Sequence, residues 1–211
     1  CALISGRLKY LGYKSRSWMA WQIPIFTEGN HNSARISEIK QRNVKKYLKQ
    51  GGIPVIAGFQ GLNINNRITT LGRGGSDSSA IMIAKFFKAE KCIIYTDVDG
   101  VYTTDPNNLK NAKKIKVISY EEMLEMASLG AKVMQPHSIQ DARLNRIKID
   151  VKSSFVNRKG TIITKRKNIF RNKIITGLTS TKNDAKVTIV GVKDKPGVAA
   201  SVFKPLYENY I

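Results

Sequence analysis

One run of this sequence combines residue types suited to holding an anion: Thr69-Thr70-Leu71-Gly72-Arg73-Gly74-Gly75-Ser76-Asp77-Ser78-Ser79-Ala80. Gly72, Gly74 and Gly75 let the backbone come close to a ligand with no Cβ in the way. They lead into a stretch that reads as a helix, whose first N–H groups lack intrahelical partners. Such an end binds phosphate or carboxylate. Ser76 is the expected cap of that helix. Arg73 adds a planar fork matched to a carboxylate or a phosphate. An ordinary Gly-rich turn with a Ser cap would use the same residues. The run is not a P-loop, because no Gly-Lys-Ser/Thr closes it.

A second run follows the next apolar segment: Tyr95-Thr96-Asp97-Val98-Asp99-Gly100-Val101-Tyr102-Thr103-Thr104-Asp105-Pro106-Asn107. Its hydroxyls and carboxylates could hold ribose, base edges or magnesium-bound water. In open parallel sheets, ligands bind outside the carboxyl ends of the strands, where this run would lie. A pair of Asx turns, over 97–100 and 105–107, is the structural alternative.

The elements that must position these runs can be read from apolar spacing. Residues 53–57 are nearly all apolar and suit a buried parallel strand. A polar loop over 61–75 leads to a helix over 76–89 with Ile81, Ala84 and Phe87 inward, then to a strand over 92–95. That is a βαβ unit, and it predicts a parallel sheet covered by helices. Upstream, residues 2–11 have apolar positions 3, 4, 8 and 11 at helical spacing. Residues 15–24 read as extended. Residues 41–50 read as a basic helix with Val44 and Leu48 inward. Downstream, Ser119-Tyr120-Glu121-Glu122 has the form of a capping box and opens a helix to about Leu129. A helical stretch containing Pro136 and a strand over 147–155 follow. Residues 157–173 are basic without a clear period and read as a hinge. A strand over 185–192, a turn at Asp194-Lys195-Pro196-Gly197 and a helix over 198–209 end the sequence.

Composition narrows the function. The 211 residues carry 36 Lys and Arg against 15 Asp and Glu, a net charge of +21. A nucleic-acid partner is the first thought for such a charge. The lysines are spread along the whole chain, however, and the densest stretch, Lys159 to Lys173, lacks interleaved aromatics on which bases would stack. A solvated Lys-rich surface is the simpler reading, and it can also attract phosphorylated substrates. No apolar run approaches the roughly 20 residues that span a bilayer. Cys1 and Cys92 make no disulfide framework and read as reduced thiols of a cytoplasmic protein.

Taken together, the two loops resemble those of the aspartate kinases. The match runs through Gly58-Phe59-Gln60-Gly61, Ile68 to Asp77, Tyr95 to Pro106, Ser119 to Met123, Ala127 to Val133, Val151 to Phe155 and Asn183 to Thr188. Asp194-Lys195-Pro196-Gly197 is similar to the start of an ACT domain, the family's small-molecule sensor. The resemblance implies an α/β amino-acid-kinase (carbamate-kinase-like) αβα sandwich with a mainly parallel sheet over 1–165. A hinge over 166–184 and the first strand and helix of a truncated, ferredoxin-like ACT domain over 185–211 would follow. It implies MgATP-dependent phosphorylation of the side-chain carboxylate of L-aspartate, with feedback by lysine and/or threonine. Carried over by position, Arg73, Ser76 and Phe59 would bind aspartate. Gly74 and Gly75 would offer N–H groups to the transferring phosphate, and Asp77 would orient the catalytic groups. Thr96, Asp97, Tyr102, Asp105 and Lys132 would surround ATP, with Mg2+ held mainly through its phosphates and no protein metal ligand. Asp194, Gly197, Val198 and Ala199 would form half of an effector site. Assembly as a homo-oligomer or heterotetramer through ACT units is implied, with no nucleic acid and no membrane.

Two departures qualify these expectations. The family's N-terminal Lys-Phe-Gly-Gly segment and its acidic and Thr aspartate contacts are absent, so this stretch is expected to be cut at both ends and to be inactive alone. Gln135-Pro136-His137-Ser138 stands where relatives usually carry Arg before the Ser. No role is carried over to His137, which reads as a surface or capping histidine. A sister kinase acting on another carboxylate or a nucleotide, or a non-catalytic basic nucleic-acid-binding protein, remains the alternative.

Overall fold

The computed structural model describes residues 1–165, 175–180 and 196–208, and the chain divides into two units, Cys1–Ser180 and Thr181–Ile211. In chain order the elements are α1 (Ala2–Tyr10), β1 (Ser15–Trp18), β2 (Ile25–Glu28), β3 (Arg35–Ile39), α2 (Arg42–Lys49), β4 (Ile53–Ile56), β5 (Gln60–Leu62) and β6 (Ile68–Thr70). Then follow α3 (Gly75–Phe86), β7 (Cys92–Thr96), β8 (Val117–Ser119), α4 (Tyr120–Ser128), α5 (Pro136–Asn145), β9 (Ile149–Ser153) and β10 (Thr161–Thr164). The second unit contributes α6 (Val198–Glu208).

The largest core lies on a four-stranded sheet of order β7-β9-β10-β8. The β7–β9 and β8–β10 pairs are parallel and the β9–β10 pair is antiparallel. Ile94, Ile118, Ile149, Val151 and Ile163 point from its strands into the core, where Ile81 of α3, Met123 of α4 and Ile139 of α5 cover them. A second sheet, β3-β2-β5-β6, and a parallel pair, β1 and β4, enclose a smaller core of Trp18, Ala20, Ile23, Ile25, Ile39 and Val44. The α/β class and the expected helices are as predicted. The capping box is fully formed: the Ser119 hydroxyl accepts from the Glu122 N–H, and the Glu122 carboxylate accepts from the Ser119 N–H. The strand predicted over 147–155 is β9.

Several expectations need correction. The predicted 61–75 loop is largely a hairpin, β5 paired antiparallel with β6. The strand runs are only three residues each, too short to show a period of two. The strands flanking α3 do not form the expected βαβ pair, because β4 pairs with β1 and β7 with β9. The basic stretch read as a hinge contains β10, an interior strand of the main sheet. Its inward residues, Thr161 and Ile163, are fully buried, while flanking lysines mask the run in the sequence. Gly160 precedes it because a Cβ there would collide with the Val151 carbonyl. Leu3 and Ile4 of α1 and Leu11 just after it are exposed, and Ser5 is the buried residue of α1. Leu48 is exposed, so Val44 alone anchors α2 from the predicted inner pair. The extended reading of 15–24 holds for β1 and gives way to turns before Pro24, with Trp21 exposed. The strand over 185–192, residue Asp194 and most of the 166–184 segment lie outside the described residues.

Candidate functional site

The first loop is built by glycine stereochemistry. Gly72 and Gly74 have φ of 74° and 71°, and Gly74 is the N-cap of α3. The expected Ser76 cap is therefore displaced: Ser76 lies inside the first turn, exposed, and no side chain caps the helix. A Cβ on Gly74 would run into the Gln135 side chain and come within 3.2 Å of His137 Cε1. A Cβ on Gly75 would lie 2.6 Å from Leu71 Cβ and 2.9 Å from Phe59 Cδ2. Only glycine fits between these walls, so the turn is shaped by both its dihedrals and its neighbours. The Gly75 N–H is bonded within the turn to the Gly72 carbonyl at 3.0 Å. The Asp77 and Ser78 N–H groups both donate to the Gly74 carbonyl.

Phe59 itself has φ of 66°, a left-handed conformation that costs a non-glycine residue free energy. The Ser79 hydroxyl stabilises it: Oγ accepts from the Phe59 N–H at 2.9 Å and donates to the Gly75 carbonyl at 2.8 Å. Thus Ser79 and the Gly75 contact hold Phe59 against the start of α3. Phe59 remains 44% exposed and Arg73 is exposed, so both are available to a ligand.

Asp77 sits in the first turn of α3, where a carboxylate is favoured by the helix dipole. Burial pushes its carboxyl up from the ordinary range, and the charge of His137 opposes this. His137 is thus exposed, as read from the sequence, but it also lies against Gly74 and influences Asp77. Beneath them the Ser78 and Ser138 hydroxyls lie 3.1 Å apart, with the Asp141 carboxylate 3.4 Å from Ser78. No local pattern marks Ser138 or Asp141; they meet α3 only through the packing of α5. Cys92 is an inert thiol, its pKa pushed up to about 11 by burial and then by the Asp77 charge.

The second loop begins where β7 ends. The Thr96 hydroxyl donates to Asp97 at 3.0 Å, and the Asp97 side chain is exposed. Asp99, not assigned from the sequence, is the structural centre. It accepts from the Tyr102 hydroxyl at 2.8 Å and from Lys114 Nζ at 2.8 Å. Lys114 also donates to the Asp99 and Lys159 carbonyls, tying the loop to the approach to β10. The Lys114 hydrogen bond holds the Asp99 carboxyl below the usual carboxylate range, whereas the same carboxylate raises the Tyr102 hydroxyl. Asp105 forms the Asx turn foreseen as an alternative, accepting from the Asn107 N–H at 2.8 Å. Lys114 lies fifteen residues from Asp99, so no local signal could mark the pair.

The Asp99–Lys114 pair has a testable consequence. A carboxyl whose folded pKa is lowered stabilises the fold above its unfolded value, near 3.9, and loses this as pH falls through the folded value. Asp99→Asn should therefore cost about 1 kcal/mol near neutral pH in a denaturant titration. The gap from the parent should close as the pH falls below about 4. A pH-independent gap would mean that the charge is not what holds the loop.

Lys132 is exposed in the segment before α5, three residues from Gln135, whose side chain packs on Gly74. Among the described residues no hydrogen bond or ion pair joins Arg73–Asp77 directly to the 96–105 loop. In the second unit, Gly197 has φ of 90° and precedes Val198 and Ala199 at the start of α6. Its carbonyl accepts from the Ser201 N–H at 3.0 Å. Among the described residues no group of three or more His, Cys, Asp or Glu could hold a metal, and no helix is long and apolar enough to cross a membrane.

The sequence profile of the amino acid kinase family matches residues 2–153. The aspartokinase of Geobacillus stearothermophilus is 42% identical over 205 residues, covering 97% of this chain and 50% of that protein. The chain spans about half the length of such curated relatives. Among solved structures, E. coli aspartokinase III in complex with aspartate and ADP (R-state) is similar at a TM-score of 0.72 and 32% identity, over 79% of this chain and 38% of that one. The same enzyme in complex with lysine and aspartate (T-state) is similar at a TM-score of 0.74 and 28% identity, over 95% and 46%.

Proposed function

The chain belongs to the amino acid kinase family, and from that premise we propose that its full-length gene product is an aspartate kinase. It would transfer the terminal phosphoryl group of MgATP to the side-chain carboxylate of L-aspartate, giving 4-phospho-L-aspartate and ADP. The observation that carries this reading is the Gly74 turn. A left-handed N-cap opens α3 next to an exposed Arg73 guanidinium and a strained Phe59. The similarity to an aspartokinase solved with aspartate and ADP supports it.

Phosphoryl transfer needs in-line positioning and neutralisation of charge more than covalent chemistry. Arg73 would fork onto an aspartate carboxylate, with Phe59 and Ser76 lining the pocket. The Gly74–Gly75 turn would lie against the transferring phosphate, and Asp77 would orient the reacting groups. Thr96, Asp97, Tyr102 and Asp105 would hold the nucleotide, with Lys132 at its phosphates. Mg2+ would be carried on those phosphates and supply charge neutralisation. Lysine and/or threonine would act as feedback effectors through the second unit. Gly197, Val198 and Ala199 would contribute the helix-opening half of that site together with Asp194. The similarity to an aspartokinase solved with lysine supports the effector class.

ADP release by the full-length gene product, measured with aspartate, glutamate and UMP as alternative acceptors, tests the proposal. Aspartate should support turnover and the others should not. Turnover on glutamate or UMP with aspartate ignored would replace it with a sister activity of the same fold.

A further inference from the structure

The chain beyond β10 returns to the loop assigned to the nucleotide. Within the first unit, residues 175–180 lie across α4 and Thr103. The Thr176 hydroxyl donates to Glu122 Oε1 at 2.7 Å, and the Leu178 N–H donates to the Thr103 carbonyl at 2.7 Å. Gly177 between them fits closely: a Cβ there would stand 3.0 Å from the Thr103 oxygen and 3.1 Å from Met126 Cε. The strap is thus keyed to the loop by a backbone hydrogen bond and by shape, and anchored to α4 by a side-chain hydrogen bond.

Glu122 serves two structures with one carboxylate. Its Oε2 accepts from the Ser119 N–H at 3.0 Å and from the Ser119 hydroxyl at 2.8 Å, closing the capping box, while Oε1 receives Thr176. Thr103 is gripped from its other side by Lys113, whose carbonyl accepts from the Thr103 N–H at 2.9 Å and whose N–H donates to Thr103 Oγ1 at 3.1 Å. Its neighbour Tyr102 is fixed by the bond to Asp99. Every polar backbone group of Thr103 is therefore committed, one side by the 113–114 segment and the other by the strap.

We propose that Glu122, Thr176 and the strap backbone at Leu178 form a clasp that positions the 96–105 loop for nucleotide binding. Glu122 and Thr176 are positioning residues; they act through Thr103 and touch no reacting atom. The loop's outer residues, Asp97 and Asp105, are exposed, and among the described residues their side chains hydrogen-bond only to residues within three positions in sequence. The clasp thus limits the conformations the free loop can sample. Ordering entropy not spent at binding appears as nucleotide affinity. The inference rests on the nucleotide reading of this loop, and not on which acceptor is phosphorylated.

The dissociation constant of MgADP for the full-length gene product, measured by calorimetry, tests the clasp whatever the acceptor proves to be. Thr176→Val removes the hydroxyl while keeping shape, and Gly177→Ala presses the strap away from the Thr103 carbonyl. Each should weaken MgADP by about 5- to 10-fold, because Thr176→Val loses the bond to the Glu122 carboxylate and Gly177→Ala stretches the Leu178 N–H bond to the Thr103 carbonyl. The KM for aspartate should stay within about twofold, and Thr176→Ser, which keeps the hydroxyl, should bind MgADP as the parent does. MgADP affinity unchanged in both variants would overturn the clasp. Equal weakening of nucleotide and aspartate would also overturn it, since that marks general softening of the fold. Should the parent prefer another acceptor while the MgADP shift appears as stated, the aspartate assignment falls and the clasp stands.

Discussion

Replacing Arg73 by alanine in the full-length gene product is expected to raise the aspartate requirement roughly 10- to 150-fold and to leave the ATP requirement nearly unchanged. The guanidinium is exposed and makes no hydrogen bond or ion pair with any described residue, so its removal breaks nothing in the fold. On the proposed role, what it would remove is a charge-assisted bond to a substrate carboxylate, worth about 1.5–3 kcal/mol. Arg73→Lys keeps the charge without the fork and should recover only part of the loss. Steady-state kinetics with each substrate varied in turn distinguishes the outcomes. An unchanged aspartate dependence would place Arg73 outside the acceptor site.

The second large effect is a trade of stability against activity at Asp77. Burial raises its folded pKa, so the folded state holds the proton more tightly than the unfolded chain does. The sign is opposite to that at Asp99. Ionised Asp77 penalises the fold, and the penalty grows as pH rises from about 3.9 through the folded value. Asp77→Asn has no charge to bury. It should therefore unfold at a higher temperature than the parent near neutral pH, with the difference vanishing below about pH 4. The same variant should lose turnover by on the order of 100-fold or more, as expected for an electrostatic group aimed at the reacting atoms. Thermal unfolding at several pH values and single-turnover kinetics measure the two effects. Full activity in Asp77→Asn would leave the carboxylate with no catalytic part.

Arg73 and Asp77 lie inside one short run, so their proximity follows from the order of residues alone. The same holds for Ser119 and Glu122, whose spacing of three is the geometry of a helix start. Gly74 displaces Ser76 as the cap because the left-handed turn and the packing of Gln135 fix the helix start at that glycine, and packing from the segment leading into α5 leaves no local trace. Short strands are the least legible elements. β10 consists of Thr161-Ile162-Ile163-Thr164 amid lysines, and its place inside the sheet comes from β8 and β9. The roles of Lys114 and Thr176 depend on contacts across 15 and 54 residues, which no window along the chain can detect. Conversely, the exposed Leu3 and Ile4 show that helical spacing reports periodicity, whereas burial depends on what else packs there.

The central claim, that an aspartate carboxylate receives the phosphoryl group at the Arg73–Asp77 loop, is tested most directly by trapping the product. The full-length gene product, supplied with MgATP and L-aspartate in the presence of hydroxylamine, should form aspartyl hydroxamate in step with ADP. An acyl phosphate reacts with hydroxylamine, whereas a phosphate ester or phosphoanhydride product does not. ADP released without hydroxamate, or hydroxamate formed from glutamate and not from aspartate, would contradict the assignment.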